Sequence, residues 1–240
     1  MTERSSDSKL SVIAGNIKRI EENIEKAKLA AGRTDAVRLM GVTKTVDPEI
    51  VSFSVRNGVT LLGENRVQEF LDKRDKYEGQ PEVHFIGGLQ TNKVKYIIDK
   101  VKMIHSANSE KLIAEIDKRA ANAGITMDIL IEVNIGEEES KSGVMPAMLD
   151  ELTARTAEFG NVRLRGLMAI PPVDVNGSSE KYFEKMYRLF TDLQIRTSGD
   201  SRYMIDTLSM GMSGDYEAAI RHGSTLVRIG SGLYGQRIYR

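Results

Sequence analysis

The feature that most constrains the fold is a regular alternation of short apolar runs with segments of helical pattern along the 240 residues. Strands separated by helices pair in parallel through crossover connections, and eight such units close naturally into a barrel. The sequence therefore predicts an α/β fold, a single TIM (β/α)8 barrel. The eight candidate strands are residues 39–43, 59–62, 83–86, 103–105, 127–133, 162–168, 203–208 and 225–229.

A long amphipathic helix is predicted before the first strand. Apolar residues recur at helical spacing from Leu10 to Ala31, and Gly32 stands where such a helix would end. We expect this extra N-terminal helix to take the place of the helix missing after strand eight. A flavodoxin-like or Rossmann sheet is the alternative fold, although eight strands exceed its usual count. No linker-like tract interrupts the chain, so we expect one domain over residues 1–240.

The composition favours a small-molecule partner. Thirty-four basic residues balance thirty-four acidic ones, so no net field attracts nucleic acid or an anionic membrane. No cysteine is present, which agrees with a reducing compartment and excludes disulfides and thiolate chemistry. The first residues are polar and no segment has the apolar length of a membrane span. We therefore expect a soluble cytoplasmic protein.

Polar and glycine residues follow the predicted strands at one end. Lys44 follows strand one, Asn65 strand two, Ser209 strand seven, and Gly230-Ser231 strand eight. In a barrel of this kind the carboxyl ends of the strands form a single mouth, where ligands bind. The sequence therefore predicts that these residues meet at that mouth.

Lys44 is the sharpest candidate. An amine held at the mouth of an apolar barrel is desolvated, which favours its neutral form and makes it a nucleophile toward a carbonyl carbon. A lysine that merely ends a strand and reaches water is the more frequent case. The companions of Lys44 therefore decide its interpretation.

Two of those companions suggest an anionic ligand. Gly230-Ser231 follows the last strand, where barrels often bind phosphate through backbone N–H groups; an ordinary loop is an equal alternative. The hydroxyl of Ser209 on the neighbouring strand favours phosphate. Arg228, within strand eight, could face inward and donate to a ligand, or face outward and pair with a helix carboxylate, which is the commoner arrangement.

A metal centre is not predicted. The three histidines, His84, His105 and His222, are too scattered in sequence to form a metal-binding motif. Two of them lie on predicted strands, where packed or hydrogen-bonded structural roles are expected.

Several strings, in this order along the chain, resemble those of the YggS/PROSC family of pyridoxal phosphate homeostasis proteins. The similarity runs from about strand one to Arg237. The strings are VTK (42–44), GENRVQE (63–69), HFIG (84–87) with Leu89-Gln90 and Asn92-Lys93, IEVN (131–134), KSG (141–143), GLM (166–168), LSMGMS (208–213) and VRIG (227–230).

The resemblance implies a barrel like the N-terminal domain of alanine racemase, without the second domain of that enzyme. It implies pyridoxal 5′-phosphate bound as an imine to Lys44, phosphate contacts around Ser209 and Gly230-Ser231, and a contact from Arg228 to the ring nitrogen. Asn65 matches a family asparagine near the cofactor. The chain departs from the family strings at Arg66, where tyrosine is usual, and at Gly88, which follows Gly87 where the family has a varied residue.

The resemblance further implies that the protein is a carrier or buffer for the cofactor. Apoenzymes that depend on pyridoxal phosphate could receive the cofactor from it. A racemase needs a second acid–base group opposite the lysine, and in the related racemases the second domain supplies it. We therefore assign no catalytic residue. Because the second domain of the racemases also helps to build their dimer, the resemblance implies a monomer. The alternatives are a weak amino-acid racemase that uses Lys44 as its base, and an aldolase in which Lys44 attacks a phosphosugar.

Overall fold

Eight parallel strands close into a barrel in the order β1 to β8 in the computed structural model, which describes residues 3–172 and 179–236. The prediction of a TIM barrel is confirmed. Residues 1–2, 173–178 and 237–240, which belong to the predicted single domain of residues 1–240, lie outside this description. The strands are β1 Arg38–Val42, β2 Leu61–Glu64, β3 Glu82–Phe85, β4 Met103–Ala107, β5 Met127–Glu132, β6 Val162–Met168, β7 Tyr203–Ser209 and β8 Leu226–Ile229.

Helices cover the outside of the barrel. They are α1 Glu3–Ala30, α2 Pro48–Arg56, α3 Val67–Lys73, α4 Glu110–Ala123, α5 Leu149–Thr156, α6 Glu180–Arg196, α7 Tyr216–Arg221 and α8 Ser231–Tyr234. Three short 3-10 segments accompany them, at Arg74–Lys76, Thr91–Tyr96 and Pro146–Met148. Between β3 and β4 the described crossover holds only the segment Thr91–Tyr96 and no α-helix.

Local sequence accounts for several helix ends. Pro48 occupies the first turn of α2, where its missing N–H has no intrahelical partner to lose. Ser109 caps α4, because its side-chain oxygen accepts a hydrogen bond from the backbone N–H of Leu112. Gly124 ends α4 in the left-handed conformation, with φ 67°.

The opening helix α1 packs on the barrel through one buried stripe and contacts α7, α8 and α2. One element differs from the sequence-based expectation: a short helix, α8, does follow strand eight, so α1 covers this helix rather than replacing it. A single turn buries little surface, which is why a long neighbouring helix is needed there. The buried stripe consists of Ile13, Ile17, Ile20, Ile24 and Ala27.

The buried side chains form an outer and an inner layer. The main apolar core joins the strands to the helices. Two smaller clusters are separate from it, and strand alternation places them inside the barrel. Among the described residues, no helix is long and apolar enough to cross a membrane. The inner clusters are Met40, Val42, Leu61, Ile86 and Leu226, and Met103, Leu130 and Met168.

Candidate functional site

A cavity of about 540 Å³ opens at the carboxyl mouth of the barrel. Its wall is formed by strand ends and by the loops that follow β1, β2, β3, β6, β7 and β8. Five residues that the sequence places at this mouth line it together: Lys44, Asn65, Arg228, Gly230 and Ser231. The remaining lining residues are Val42, Ile86, Ile170, Met212, Ser213, Gly214 and Gln236.

Lys44 reaches the cavity because it continues the inward positions of β1. Met40 and Val42 face the interior, and alternation places Lys44 on the same side one step nearer the mouth. The next residue, Thr45, has φ 63°, and its backbone N–H donates to the Glu69 carboxylate. A non-glycine residue adopts this conformation only where its surroundings fix it. The turn that presents Lys44 is therefore held in place from α3.

A second set of contacts holds the ends of β1 and β2 from the outside. The hydroxyls of Thr43 and Tyr77 donate to Glu64 Oε1 at 2.6 and 2.5 Å. Burial raises the pKa of Glu64, and burial together with the neighbouring Glu64 carboxyl raises the pKa of Tyr77. Lys73 donates to the backbone carbonyl of Thr43 at 3.1 Å. The residues on either side of Lys44 are thus fixed by contacts that do not involve the Lys44 side chain.

Asn65 lines the cavity and carries a buried hydrogen-bond acceptor. Its Oδ1 atom has no hydrogen-bond partner among the described residues. A buried polar atom of this kind is costly unless a ligand or water satisfies it. The Asn65 backbone lies against Gly87, where an added Cβ would meet the Asn65 carbonyl oxygen at 2.1 Å. The backbone of Asn65 is therefore held close against Gly87.

Arg228 faces inward and is only 4% exposed. Its Nη1 donates to Ser209 Oγ at 2.7 Å and its Nη2 to the Ala169 carbonyl oxygen at 2.9 Å. Both acceptors are neutral, and burial lowers the pKa of Arg228 to about 10. A guanidinium has five N–H donors, so donors remain for a ligand in the cavity.

Ser209 is the exception among the predicted site residues. It is fully buried and does not line the cavity. The β7–β8 register pairs Ser209 with Leu226, which places it deeper in the barrel than Arg228. Its hydroxyl contacts Arg228 and His105 Nδ1, the latter at 3.1 Å. In this arrangement Ser209 supports the arginine and does not line the cavity, and its predicted part in phosphate binding stays a prediction.

Ser213, in the loop that follows β7, lines the cavity at the mouth. Its Oγ accepts from the backbone N–H groups of Gly230 and Gly232 at 3.3 and 3.0 Å. Ser213 and Gly214 both line the cavity beside Ser231. The sequence feature that could have indicated Ser213 and Gly214 is the polar, glycine-rich loop that follows strand seven. This part of the wall gathers hydroxyls and backbone N–H groups, which are the donors that phosphate requires.

The two strand histidines lie below the cavity. His84 and His105 are fully buried and hydrogen-bonded to each other, with 2.8 Å between His84 Nδ1 and His105 Nε2. The described part of the chain holds no group of three or more His, Asp or Glu side chains arranged to bind a metal ion.

Comparison with known proteins shows the family and the fold of the chain. A family profile described as alanine racemase, N-terminal domain, matches residues 16–238. A pyridoxal phosphate homeostasis protein from Aquifex aeolicus is 46% identical over 226 residues, which are 93% of this chain and 97% of that protein. The structure of PipY from Synechococcus elongatus with PLP bound superposes with a TM-score of 0.78 at 26% identity, covering 93% of this chain and 100% of that one.

Alanine racemase from Clostridium difficile is similar in fold, with a TM-score of 0.69 at 16% identity, covering 94% of this chain and 58% of the racemase. The sequence similarity to the homeostasis proteins extends over nearly the full length of both chains. The chain therefore belongs to the family of pyridoxal phosphate homeostasis proteins, within the wider family of alanine racemase N-terminal domains.

Proposed function

We propose that this protein binds pyridoxal 5′-phosphate covalently through Lys44 and serves as an intracellular carrier or buffer for it. The observation that carries the proposal is that Lys44 and the buried Arg228 line one cavity of about 540 Å³, and that Arg228 donates there to two neutral acceptors, Ser209 Oγ and the Ala169 carbonyl oxygen. When bound, the cofactor supplies an aldehyde that condenses with an amine, with loss of water, to a carbon–nitrogen double bond. The PLP-bound PipY structure supports this choice of ligand.

The residues present fit that ligand. The Lys44 amine would receive the aldehyde carbon, and the free N–H donors of Arg228 would meet the ring nitrogen. The hydroxyls and N–H groups of Ser213, Gly214 and Ser231 would hold the phosphate. Asn65 Oδ1 would gain the hydrogen-bond partner that it lacks among the described residues.

The lining of the cavity favours binding over turnover. Apart from Lys44 and Arg228, no lining residue is titratable in the part of the chain that the structure describes, where no His, Asp, Glu or Tyr side chain lines the cavity. Racemisation needs a second acid–base group on the opposite face of the substrate. An arginine that donates to the ring nitrogen also keeps that nitrogen unprotonated, which weakens the cofactor as an electron sink. Both features support a protein that holds and releases its ligand.

An absorbance spectrum tests the proposal. Purified protein mixed with pyridoxal phosphate should develop the absorbance of a lysine-bound aldehyde, and Lys44→Ala should abolish it. Lys26→Ala, a change at an exposed position on α1, serves as the control and should leave the spectrum unchanged. After borohydride reduction, peptide mass spectrometry should place a phosphopyridoxyl group on Lys44. The proposal fails if Lys44→Ala retains the cofactor as tightly, or if the adduct has the mass of a sugar phosphate.

The same proposal extends to the release of the cofactor and to the location of the protein in the cell. We expect a cytoplasmic monomer that transfers the aldehyde to apoenzymes or free amines. Mixing loaded protein with an apoenzyme that depends on pyridoxal phosphate should restore that enzyme faster than loaded protein alone releases cofactor into buffer. Equal rates would indicate simple buffering without directed transfer, and light scattering would determine the mass in solution.

A further inference from the structure

A line of five buried or half-buried polar side chains runs through the barrel interior from one mouth to the other. Glu82 Oε1 lies 2.6 Å from His84 Nε2, and His84 Nδ1 lies 2.8 Å from His105 Nε2. His105 Nδ1 contacts Ser209 Oγ at 3.1 Å, and Ser209 Oγ contacts Arg228 Nη1 at 2.7 Å. We call this line the buried relay.

The direction of every hydrogen bond in the buried relay follows from its two ends. Arg228 can only donate, so Ser209 Oγ accepts from it and directs its own hydrogen to His105 Nδ1. His105 Nε2 then carries the ring proton and donates to His84 Nδ1. His84 Nε2 in turn donates to the Glu82 carboxylate, which can only accept. The reverse tautomer of His105 would leave the Ser209 hydrogen without an acceptor among the described residues.

We propose that His105 and His84, acting through Ser209, are positioning residues that hold the Arg228 guanidinium toward the ring nitrogen of the cofactor. The inference rests on the proposed function, because it assigns the ring-nitrogen contact to Arg228. Ser209 fixes one terminal nitrogen of the guanidinium and the Ala169 carbonyl fixes the other. Two fixed nitrogens of a planar group fix its plane, and thereby the direction of the remaining N–H bonds.

Charge and burial agree with this arrangement. Both histidines are completely buried, and burial lowers the pKa of each. Neutral rings place no second cation beside Arg228, and each neutral ring offers one donor and one acceptor, as the buried relay requires. At the far end Glu82 is half-exposed and also pairs with Arg38 at 3.0 Å. A guanidinium and a carboxylate thus close the two ends of a polarised chain.

The first test uses the protein without ligand. Nitrogen-15 NMR of the histidine rings at neutral pH should find His84 and His105 both protonated at Nε2 and unprotonated at Nδ1. The sequence has only three histidines, so His84→Gln and His222→Gln suffice to assign the signals. A proton on Nδ1 of either buried ring, or a doubly protonated ring, would overturn the proposed order. This measurement needs only the wild-type fold and does not depend on cofactor binding.

The second test measures whether the buried relay acts on the ring-nitrogen contact. Wild-type protein should bind pyridoxal phosphate at least about tenfold more tightly than its 1-deaza analogue, in which C–H replaces the ring nitrogen. Ser209→Ala and His105→Leu should each reduce this preference toward equality. Ser106→Ala is the matched control: Ser106 is a buried neighbour of His105 whose hydroxyl has no hydrogen-bond partner among the described residues, and the preference should persist there.

The outcomes separate the two proposals. If wild-type protein binds neither compound, the proposed function fails and the cofactor role of the buried relay fails with it, whatever the histidine tautomers. If both compounds bind equally well, the cofactor site stands but Arg228 does not address the ring nitrogen. If the preference survives in folded Ser209→Ala and His105→Leu protein, the buried relay positions nothing and the inference is wrong.

Discussion

Two adjacent glycines after β3 have opposite environments. A Cβ on Gly87 would lie 2.1 Å from the backbone oxygen of Asn65, whereas a Cβ on Gly88 would meet nothing within 4 Å. Gly87 is buried and Gly88 is exposed. The contact at Gly87 involves backbone, which cannot yield as the end of a flexible side chain can. This contact predicts that a side chain is tolerated at position 88 and not at position 87.

Gly87→Ala and Gly88→Ala should therefore differ in their effects on the free energy of unfolding and on cofactor binding. We expect Gly87→Ala to lower the free energy of unfolding by about 1–3 kcal/mol through overpacking, and to weaken cofactor binding because Asn65 must move. Gly88→Ala should change stability by no more than about 0.5 kcal/mol. Urea unfolding and cofactor titration of both variants provide the measurement. Equal behaviour of the two variants would contradict the contact at Asn65.

At this scale, strand ends explain which site residues could be predicted. Lys44, Asn65 and Arg228 could be assigned to one mouth because each ends, or nearly ends, a recognisable strand. Ser209 also ends a strand, but its depth depends on the register with β8, which local sequence does not contain. The contact between His84 and His105 depends likewise on how β3 and β4 pair. The prediction of the site was limited because the pairing register of the strands, unlike residue type, cannot be read from local sequence.

Among the elements, α1 supports the site from a distance. Asn16, on its buried face, donates from Nδ2 to the Leu233 carbonyl oxygen of α8 at 3.0 Å. The short helix α8 directly follows Gly230, at the cavity wall. A four-residue helix has few contacts of its own, so this bond and the isoleucine stripe of α1 hold it in place.

Asn16→Ala should loosen this support. Removal of the amide leaves the buried Leu233 carbonyl without its donor, which should lower the free energy of unfolding by about 1–3 kcal/mol. The cofactor should also dissociate faster, because the backbone N–H groups around Ser231 lose their fixed position. Lys18→Ala, at an exposed position on the same helix, is the control and should leave both quantities unchanged. Stopped-flow dissociation and chemical unfolding measure the two effects. An unchanged dissociation rate of the cofactor in Asn16→Ala would show that α1 does not support the site.

Elements with strong periodicity were predictable and the shortest ones were not. All eight strands overlap the predicted apolar runs, because buried parallel strands read as apolar segments between helical patterns. The single turn of α8 and the segment Thr91–Tyr96 were not predicted. Elements this short give too few residues to display a period, and packing against α1 or the barrel determines their form.

For the molecule as a whole, the buried histidines should make stability depend on pH. Burial lowers the folded-state pKa of His84 and His105, while in the unfolded chain both should titrate near about 6.5. Below that pH the unfolded chain binds more protons than the native protein, so stability rises with pH. The free energy of unfolding should be highest above about pH 6.5 and fall as pH decreases toward about 5.

Urea unfolding between about pH 5 and pH 7.5 tests this dependence. Each histidine contributes a slope of at most about 1.4 kcal/mol per pH unit in this window. His105→Leu should therefore lose part of the wild-type slope, while contributions from buried carboxyls such as Glu64 cancel in the comparison. A variant slope equal to the wild-type slope would mean that His105 is not held neutral in the native protein.

The pairing of Arg38 with Glu82 lies at the amino-terminal mouth, beside a pocket of about 240 Å³. Glu82 does not line the cavity at the carboxyl mouth, yet it terminates the hydrogen bonds that reach Arg228. The buried relay proposed above predicts that changes at the amino-terminal mouth alter the affinity for the cofactor while every side chain that lines the cavity stays intact. Engineered or natural variants with altered cofactor retention should accordingly be sought around Glu82 as well as at the open mouth.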